Sequence, residues 1–325
     1  MKRISQISAL AVGALLIAAT VSAQGYPTKP VRMILPFAPG GASDVVGRSM
    51  APRLSQKLGQ QVIVDNRAGA SGNIGINVVA QAAPDGYTIL LGNSGAMAIN
   101  PGLFPTFPIK PVRDFIAVTQ VVDVPGALVV HPSVPVTTLK EFIDYVKARP
   151  GKLNYGSSGA GAPFRLAMEY FMREAGLNIV HVPYKGGAGA ATIGVLGGEV
   201  NAVFTSLSSV ITHVKAGKLK LLSVVAPNRL AVLPKTPTMV ESGFPEMTAG
   251  AWQGVYVPLG TPRPIVNRLF DAVTKTMADP EIVNRLQDTG SEIIVSKSPE
   301  EFAKFMKTET DHYAKVIKEI GLVGQ

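Results

Sequence analysis

The sequence of 325 residues contains no cysteine and little charge. Without cysteine the chain has no disulfide bonds, no thiolate nucleophile, no lipid anchor attached through cysteine, and no cysteine-ligated zinc or iron–sulfur cluster. Charged residues make up 16%, below the roughly 25% typical of soluble domains, so charge-driven disorder is not expected. Hydrophobic residues make up 46%, which is enough for a sizeable core, and the length predicts two domains.

The sequence also lacks the motifs of several ligand classes. Its four histidines have no spacing typical of a metal site. There is no Walker loop, and Gly69–Gly75 departs from the dinucleotide-binding pattern, so no cofactor is expected. The formal net charge is +9, but Lys and Arg are scattered without a run of five, which argues against nucleic-acid binding. A modest positive field favours small anions as ligands.

The N-terminus has the features of a secretory signal peptide. Lys2 and Arg3 form a positive segment, Ala9–Val21 is apolar apart from one threonine, and Ala23 ends a run of small residues. We therefore expect residues 1–23 to be removed by cleavage after Ala23 and the mature chain to be exported. A transmembrane anchor is the alternative, but it needs about 20 apolar residues and this run is shorter.

Strand-like and helix-like patterns alternate along the mature chain, which predicts an α/β fold with mainly parallel sheets. The β-rich run Ala117–Val130 is too long for one strand of a compact sheet, so we expect it to cross between two lobes. A second crossing is expected near Gly250–Val257. Two crossings predict a hinge and a discontinuous first lobe, formed by residues 24–125 and 248–325, with residues 126–247 as the second lobe.

Two glycine-rich turns each follow a predicted strand and precede a predicted helix. The first is Pro36–Asp44 and the second is Gly156–Pro163. A helix start has backbone N–H groups without intrahelical partners and a positive dipole end, and glycines let an anion approach the backbone closely. Two such turns that face each other would bind a carboxylate from both lobes.

Hydroxyl groups in the two turns allow two interpretations. Ser43, Ser157 and Ser158 are either further hydrogen-bond donors to an anion or parts of ordinary loops. In the second interpretation, Ser43 or Asp44 caps the following helix. The residues alone do not separate the two interpretations, and capping is the favoured role for Asp44.

Two other features have weaker chemical implications. Gly92–Ala96 follows a strand and partly resembles a nucleophile elbow, although its last position is alanine. A secreted serine hydrolase that uses Ser94 is therefore an alternative, and a structural or ligand-contacting turn is favoured. Lys185 follows another strand and is either a cation for an acidic ligand or a solvated surface lysine.

Six motifs together identify a family resemblance. They are Pro36–Asp44, Val62–Gly75, Ala83–Thr88, Gly156–Pro163, Val182–Gly187 and Leu196–Val200. Together they resemble the Bug family, the substrate-binding proteins of tripartite tricarboxylate transporters, over essentially the whole mature chain. The resemblance implies a two-lobe, type II-like periplasmic binding protein that closes on a small carboxylate without catalysis. It implies a monomer that works with integral-membrane transporter subunits, and a sensory protein that signals to a receptor is the alternative.

The resemblance also implies which residues bind the ligand. In the two turns they are Phe37, Gly40, Gly41, Ala42, Ser43, Asp44, Ser157, Ser158, Gly159, Gly161 and Ala162. Further candidates are Asn93, Ser94, Tyr184, Lys185 and Thr205. Thr205 stands where family members often have aspartate, and threonine cannot form an ion pair with a ligand amino group. This difference favours a dicarboxylate, tricarboxylate or aromatic carboxylate over an amino acid.

Overall fold

The computed structural model describes residues 25–159, 162–184, 187–247, 250–319 and 321–323. The predicted signal peptide lies outside the described residues, as do the candidate site residues Gly161 and Lys185. Within the described ranges, no helix is both long and apolar enough to cross a membrane.

The strands and helices alternate along the chain, as the sequence pattern predicts. In the described part of the chain the strands are β1 (Val31–Leu35), β2 (Val62–Asn66), β3 (Thr88–Asn93), β4 (Phe115–Val124), β5 (Gly126–Val130), β6 (Asn154–Ser157), β7 (Val180–Pro183), β8 (Ala202–Ser206), β9 (Lys220–Val225), β10 (Ala251–Pro258) and β11 (Glu292–Ile293). The helices are α1 (Ala42–Leu58), α2 (Asn73–Ala80), α3 (Asn100–Leu103), α4 (Pro111–Asp114), α5 (Leu139–Lys147), α6 (Pro163–Ala175), α7 (Ala188–Leu196), α8 (Leu207–Lys215), α9 (Arg263–Met277), α10 (Pro280–Gln287) and α11 (Pro299–Glu319). A 3₁₀ turn at Ala70–Gly72 precedes α2, and a π-helical segment at Gly95–Ile99 leads into α3.

The strands form two sheets that share one arrangement. The first sheet has the order β11-β4-β10-β3-β1-β2 and the second has the order β7-β6-β8-β5-β9. In each sheet three parallel strands adjoin one antiparallel strand, which is β10 in the first sheet and β5 in the second. We call the first sheet with its packed helices lobe 1 and the second sheet with its helices lobe 2.

Most strands of each sheet run in one direction, as expected, but both sheets are mixed because β10 and β5 run against their neighbours. The cause is the path of the chain between the lobes. A strand that arrives from the other lobe enters at the carboxyl edge of the parallel strands, and it must therefore run against them. Both β5 and β10 enter their sheets in this way.

The long β-rich run of the sequence consists of two strands in different sheets. Strand β4 ends at Val124 in the first sheet and β5 begins at Gly126 in the second, with only Pro125 between them. The chain returns to the first sheet between β9 and β10. The exact limits of the two lobes at residues 125 and 247 stay a prediction.

Apolar side chains fill both faces of each sheet. In lobe 1, α1 and α9 pack on one face, and the π-helical segment and α11 pack on the other. Lobe 2 has a core on each face of its sheet, one with α5 and α6 and one with α7 and α8. Because both faces are covered, the carboxyl edges of the parallel strands remain as places where polar groups can meet a ligand.

Asp123 is a partly buried acid beside the crossing from β4 to β5. Burial raises the pKa of Asp123 to about 6, and the nearby carboxylates of Glu292 and Glu309 add to the increase. This pKa exceeds the value of about 3.9 in the unfolded chain, so the neutral carboxyl group of Asp123 favours the folded state. This stabilisation is fully present only below about pH 3.9. It is lost as the pH rises through 6.

The variant Asp123→Asn is therefore expected to be more stable than the wild type at neutral pH. We expect its free energy of unfolding to exceed that of the wild type by about 2–3 kcal/mol near pH 7.5. Near pH 4 the two proteins should agree within about 0.5 kcal/mol. Urea unfolding followed by the fluorescence of Trp252, the only tryptophan, measures both values.

The measurement at pH 4 is the control for packing changes, since the carboxyl group is then neutral in the folded wild type. An equal stability difference at both pH values would contradict the raised pKa of Asp123.

Candidate functional site

A small cavity of about 40 Å³ lies between the two lobes, where the glycine-rich turns meet. Lobe 1 contributes Phe37, Gly41, Ala42, Ser43, Asn93, Ala251 and Gln253 to its lining. Lobe 2 contributes Ser158, Ala162, Pro163, Phe164, Ala188 and Ser206. The cavity therefore lies at the carboxyl edges of both sheets, which is where ligands bind in open α/β folds.

The first turn directs the start of α1 towards this cavity. Gly41 is the residue before the helix, and no side chain caps it. The N–H groups of Asp44 and Val45 donate to the carbonyl oxygen of Gly41, at 3.0 and 3.1 Å. The preceding N–H groups, of Ala42 and Ser43, have no intrahelical acceptor because they lie in the first turn. Since both residues line the cavity, these donors are placed to bind an anion.

Asp44 holds the shape of this turn and does not line the cavity. Its carboxylate accepts hydrogen bonds from the backbone N–H of Gly40 at 3.1 Å and from Nδ2 of Asn66 at 3.1 Å. Nε of Arg48 donates to the same carboxylate at 2.8 Å. Gly40 has a φ of +84°, a conformation that favours glycine. The carboxylate of Asp44 is thus hydrogen-bonded to groups of lobe 1.

The second turn also leads into a helix start without a side-chain cap, that of α6. Ala162 precedes the helix without a side-chain cap, and Pro163 occupies the first turn. Ser157 does not line the cavity, since its Oγ shares a hydrogen bond of 2.7 Å with Nε2 of His181. The same Oγ accepts from the N–H of Gly159 at 3.2 Å. Ser157 therefore positions the turn, and its neighbour Ser158 faces the cavity.

His181 is kept neutral in this position. Burial lowers the pKa of His181, and the positive charge of Arg165 lowers it further. A neutral imidazole shares a hydrogen bond with Ser157 without adding a charge near the cavity.

The two lobes are closed on each other around the cavity. A Cβ atom at Gly189, in α7, would overlap the carbonyl oxygen of Pro39 in the first turn. A Cβ atom at Gly159 would lie 3.2 Å from Oγ of Ser71, which belongs to lobe 1. The ring of Phe37 approaches Gly187 of lobe 2. Backbone of one lobe thus packs directly against backbone of the other.

The remaining candidates from the sequence lie around the cavity in different ways. Asn93 lines it, and its Oδ1 accepts a hydrogen bond of 3.0 Å from the N–H of Ala96. Tyr184 is turned into lobe 2, where its hydroxyl donates to Glu199 at 2.9 Å. Burial and the charge of Glu199 raise the pKa of Tyr184.

Ser94 and Thr205 are buried without lining the cavity. The Oγ of each has no hydrogen-bond partner among the residues that the structure describes. Successive side chains of a strand face opposite sides of the sheet, so Ser206 lines the cavity in place of Thr205. No histidine of the described chain orients Ser94.

Sequence analysis missed the contribution of β10. Ala251 and Gln253 line the cavity, whereas the sequence predicted only a crossing between the lobes near Gly250–Val257 and no site residue there. The signal was present, since Gln253 is a polar residue in a strand that is otherwise apolar and buried along its whole length. Ser206, Pro163, Phe164 and Ala188 were also missed as lining residues.

Comparison with known proteins identifies relatives along nearly the whole chain. Residues 46–322 match the family described as the tripartite tricarboxylate transporter family receptor. Protein BugT of Bordetella pertussis (strain Tohama I) is 36% identical over 322 residues, which cover 99% of this chain and 98% of BugT.

Two solved structures of Rhodopseudomonas palustris proteins have the same fold. Rpa4515 with adipate has a TM-score of 0.87 and 33% identity, and covers 91% of this chain and 98% of its own. MatC with bound malate has a TM-score of 0.84 and 30% identity, and covers 90% of this chain and 100% of its own. The predicted two-lobe α/β fold and the predicted family resemblance are confirmed.

The contact at Gly189 predicts that a single methyl group opens the lobes. In Gly189→Ala the new Cβ overlaps the carbonyl oxygen of Pro39, so the closed form is destabilised. Overpacking of this kind costs about 1–3 kcal/mol, which shifts the equilibrium between closed and open forms by roughly 5- to 150-fold. Small-angle X-ray scattering should show a larger radius of gyration than in the wild type.

Gly197→Ala is the matched control, because Gly197 directly follows the same helix and its Cβ would meet only carbonyl oxygens of that helix, at 3.5 Å from Ile193 and 3.9 Å from Gly194. This variant should keep the radius of gyration of the wild type. Equal radii for the two variants would show that Gly189 is not required for closure.

Proposed function

Because the chain belongs to the tripartite tricarboxylate transporter receptor family, we propose that it is a periplasmic solute-binding protein for a small organic carboxylate. The ligand class is a dicarboxylate, a tricarboxylate or an aromatic carboxylate. The observation that carries the proposal is the pair of helix starts without side-chain caps, α1 and α6, on opposite walls of one interlobe cavity.

The chemistry of the cavity supports an anion as the ligand. Backbone N–H groups and positive dipole ends from both lobes favour negative charge. Asp44, the acid nearest the first helix start, forms hydrogen bonds within lobe 1 and does not line the cavity. The adipate and malate in the two R. palustris structures are carboxylates. We propose that a carboxylate of the ligand occupies the same kind of position here.

The absence of an acid from the cavity lining also bears on ligand choice. The described residues that line it include no aspartate or glutamate to neutralise a ligand amino group. Thr205, at the position where the family often has aspartate, is buried and does not line the cavity. An amino acid is therefore a weaker candidate than a carboxylate without an amino group.

Closure links ligand binding to a partner. We propose that residues 24–125 with 248–325 and residues 126–247 move as two lobes, and that the closed form presents a new surface. That surface would bind integral-membrane transporter subunits, to which a monomeric, exported protein with residues 1–23 removed would deliver its ligand. Signalling to a receptor is the alternative use of the same closed surface.

A non-enzymatic role fits the surroundings of Ser94. A serine nucleophile needs a base within hydrogen-bond reach and access to the substrate. Ser94 is fully buried, and its Oγ has no partner within the described ranges. A serine hydrolase is therefore the weaker alternative.

A thermal-shift screen tests the proposed ligand class directly. The purified mature protein should be heated with mono-, di- and tricarboxylates, both aliphatic and aromatic, and with aspartate and glutamate. A ligand at 100 times its dissociation constant is expected to stabilise the fold by about 2.7 kcal/mol, which raises the melting temperature measurably. If no carboxylate raises the melting temperature, the proposed ligand class is wrong.

Ala42→Asp tests the helix start itself. The new carboxylate lies at the first residue of α1, where it suits the helix dipole and should leave the fold stable. It repels a bound carboxylate a few ångströms away by about 3 kcal/mol at an effective dielectric constant near 20, so the ligand should bind roughly a hundredfold more weakly. Isothermal titration calorimetry measures the change.

Ala42→Asn has nearly the same shape without the charge and serves as the control. Its affinity should remain close to that of the wild type. Equal weakening by Asn and Asp would assign the effect to size, and unchanged affinity in Ala42→Asp would remove the helix start from the site.

A further inference from the structure

Gln253 lies where the returning chain enters lobe 1. It is the third residue of β10, next to the crossing from lobe 2, and it lines the interlobe cavity. In the antiparallel ladder it lies directly opposite Asn93, the last residue of β3, which lines the same cavity. Gln253 thus lines the same cavity as the two helix starts.

The carboxamide of Gln253 is buried without hydrogen bonds. The residue is fully buried, and neither Oε1 nor Nε2 has a partner in the described part of the chain. A carboxamide offers two N–H donors and one oxygen acceptor, and buried polar groups in proteins are nearly always paired. Neither Oε1 nor Nε2 has a partner, so the amide would remain unpaired if the positions of its oxygen and nitrogen were exchanged.

The neighbouring polar groups that line the cavity do not supply those partners. Oδ1 of Asn93 is used by the N–H of Ala96, and the hydroxyl of Ser206 pairs with Ser209 at 2.6 Å. Ser43 and Ser158 also line the cavity, and neither hydroxyl pairs with Gln253. A molecule bound in the cavity is therefore the natural partner of Gln253. It must offer an acceptor for Nε2 and a donor for Oε1.

A plain carboxylate supplies only half of this pair. Its oxygens accept a hydrogen bond from Nε2, but an ionised carboxylate has no donor for Oε1. A 2-hydroxycarboxylate supplies both, since its hydroxyl and its carboxylate stand on adjacent carbons. The amide oxygen and nitrogen share one carbon, so the two hydrogen bonds can form side by side.

We propose that Gln253 is a specificity-determining residue that selects 2-hydroxycarboxylates. The ligand hydroxyl donates to Oε1 of Gln253, and Nε2 donates to the adjacent carboxylate oxygen. This inference rests on the proposed carboxylate-binding function and narrows it to one ligand class. The two helix starts attract the charge, and Gln253 distinguishes a hydroxylated ligand from its deoxy analogue.

Calorimetry with matched ligand pairs tests the inference. The pairs are malate with succinate, lactate with propionate, and mandelate with phenylacetate, which differ in the hydroxyl group. For every pair that the wild type binds, the hydroxylated ligand should bind roughly ten- to a hundredfold more tightly than its deoxy analogue. In Gln253→Met, which keeps the length but has no strong donor or acceptor, the ratio should fall to within about threefold.

The melting temperature of the ligand-free variant separates recognition from structure. Gln253→Met removes an unpaired polar group from a buried position, so its melting temperature should equal or exceed that of the wild type. Gln120→Met is the control, because Gln120 is also a buried glutamine, on the adjacent strand β4, and does not line the cavity. It should keep the wild-type ratio for hydroxylated over deoxy ligands.

The outcomes separate this inference from the proposed function. If the wild type binds carboxylates without preferring the hydroxylated members, or Gln253→Met keeps the preference, the role of Gln253 is wrong and the carboxylate function stands. If the wild type binds no carboxylate, both are wrong. Should Gln253→Met fail to fold, Gln253→Asn replaces it, since it keeps the amide but withdraws it by one methylene and should also lose the preference.

Discussion

The closed form depends on the packing of backbone against backbone between the lobes. The turn at Pro39–Gly41 meets the start of α7 at Gly187–Gly189, and a methyl group at Gly189 would not fit. Only glycine allows so close an approach. This contact brings the start of α1 and the start of α6 to opposite sides of one small cavity. The placement of the N–H donors of both helix starts at one cavity and the burial of Gln253 both follow from it.

The common strand order of the two lobes explains why these features meet. In each sheet the first of the three parallel strands is central, and a glycine-rich turn and a helix follow it directly. The turn after β1 and the turn after β6 are therefore equivalent in position. When two such lobes face each other, equivalent helix starts point into the space between them. The weak similarity between the two turns in the sequence reflects this equivalence.

Much of this arrangement could be predicted because it depends on local patterns. Alternating strands and helices, the two glycine-rich turns and the long run across Pro125 are visible in the sequence. The π-helical segment and α3 were not predicted, because Pro101 and Gly102 are turn-forming residues. Pro101 lies in the first turn of α3, where proline is tolerated. The antiparallel entry of β5 and β10 depends on the path of the chain, which no local pattern contains.

The site was predicted less completely than the fold, and individual residues show why. The helix starts at Ala42 and Ala162 were found through their glycines. Ser157 could not be separated from Ser158, because a bond to His181 decides which hydroxyl faces the cavity. Gln253 reaches the cavity through tertiary placement of β10, and an isolated polar residue in an apolar strand was too weak a signal. Ser206 lines the cavity and Thr205 does not, and this difference depends on the register of their strand in the sheet.

The position of β10 also has a consequence for the order in which the protein assembles. This strand lies between β3 and β4, yet it follows every strand of lobe 2 in the chain. The first sheet therefore has a gap until residues 251–258 have been synthesised, whereas all strands of the second sheet are present by Val225. Pairing β3 with β10 must close a loop of more than a hundred residues, an entropic cost that a folded second lobe reduces by shortening the free chain. As the chain is synthesised from its N-terminus, all strands of the lobe 2 sheet are therefore present while the lobe 1 sheet still lacks its central strand.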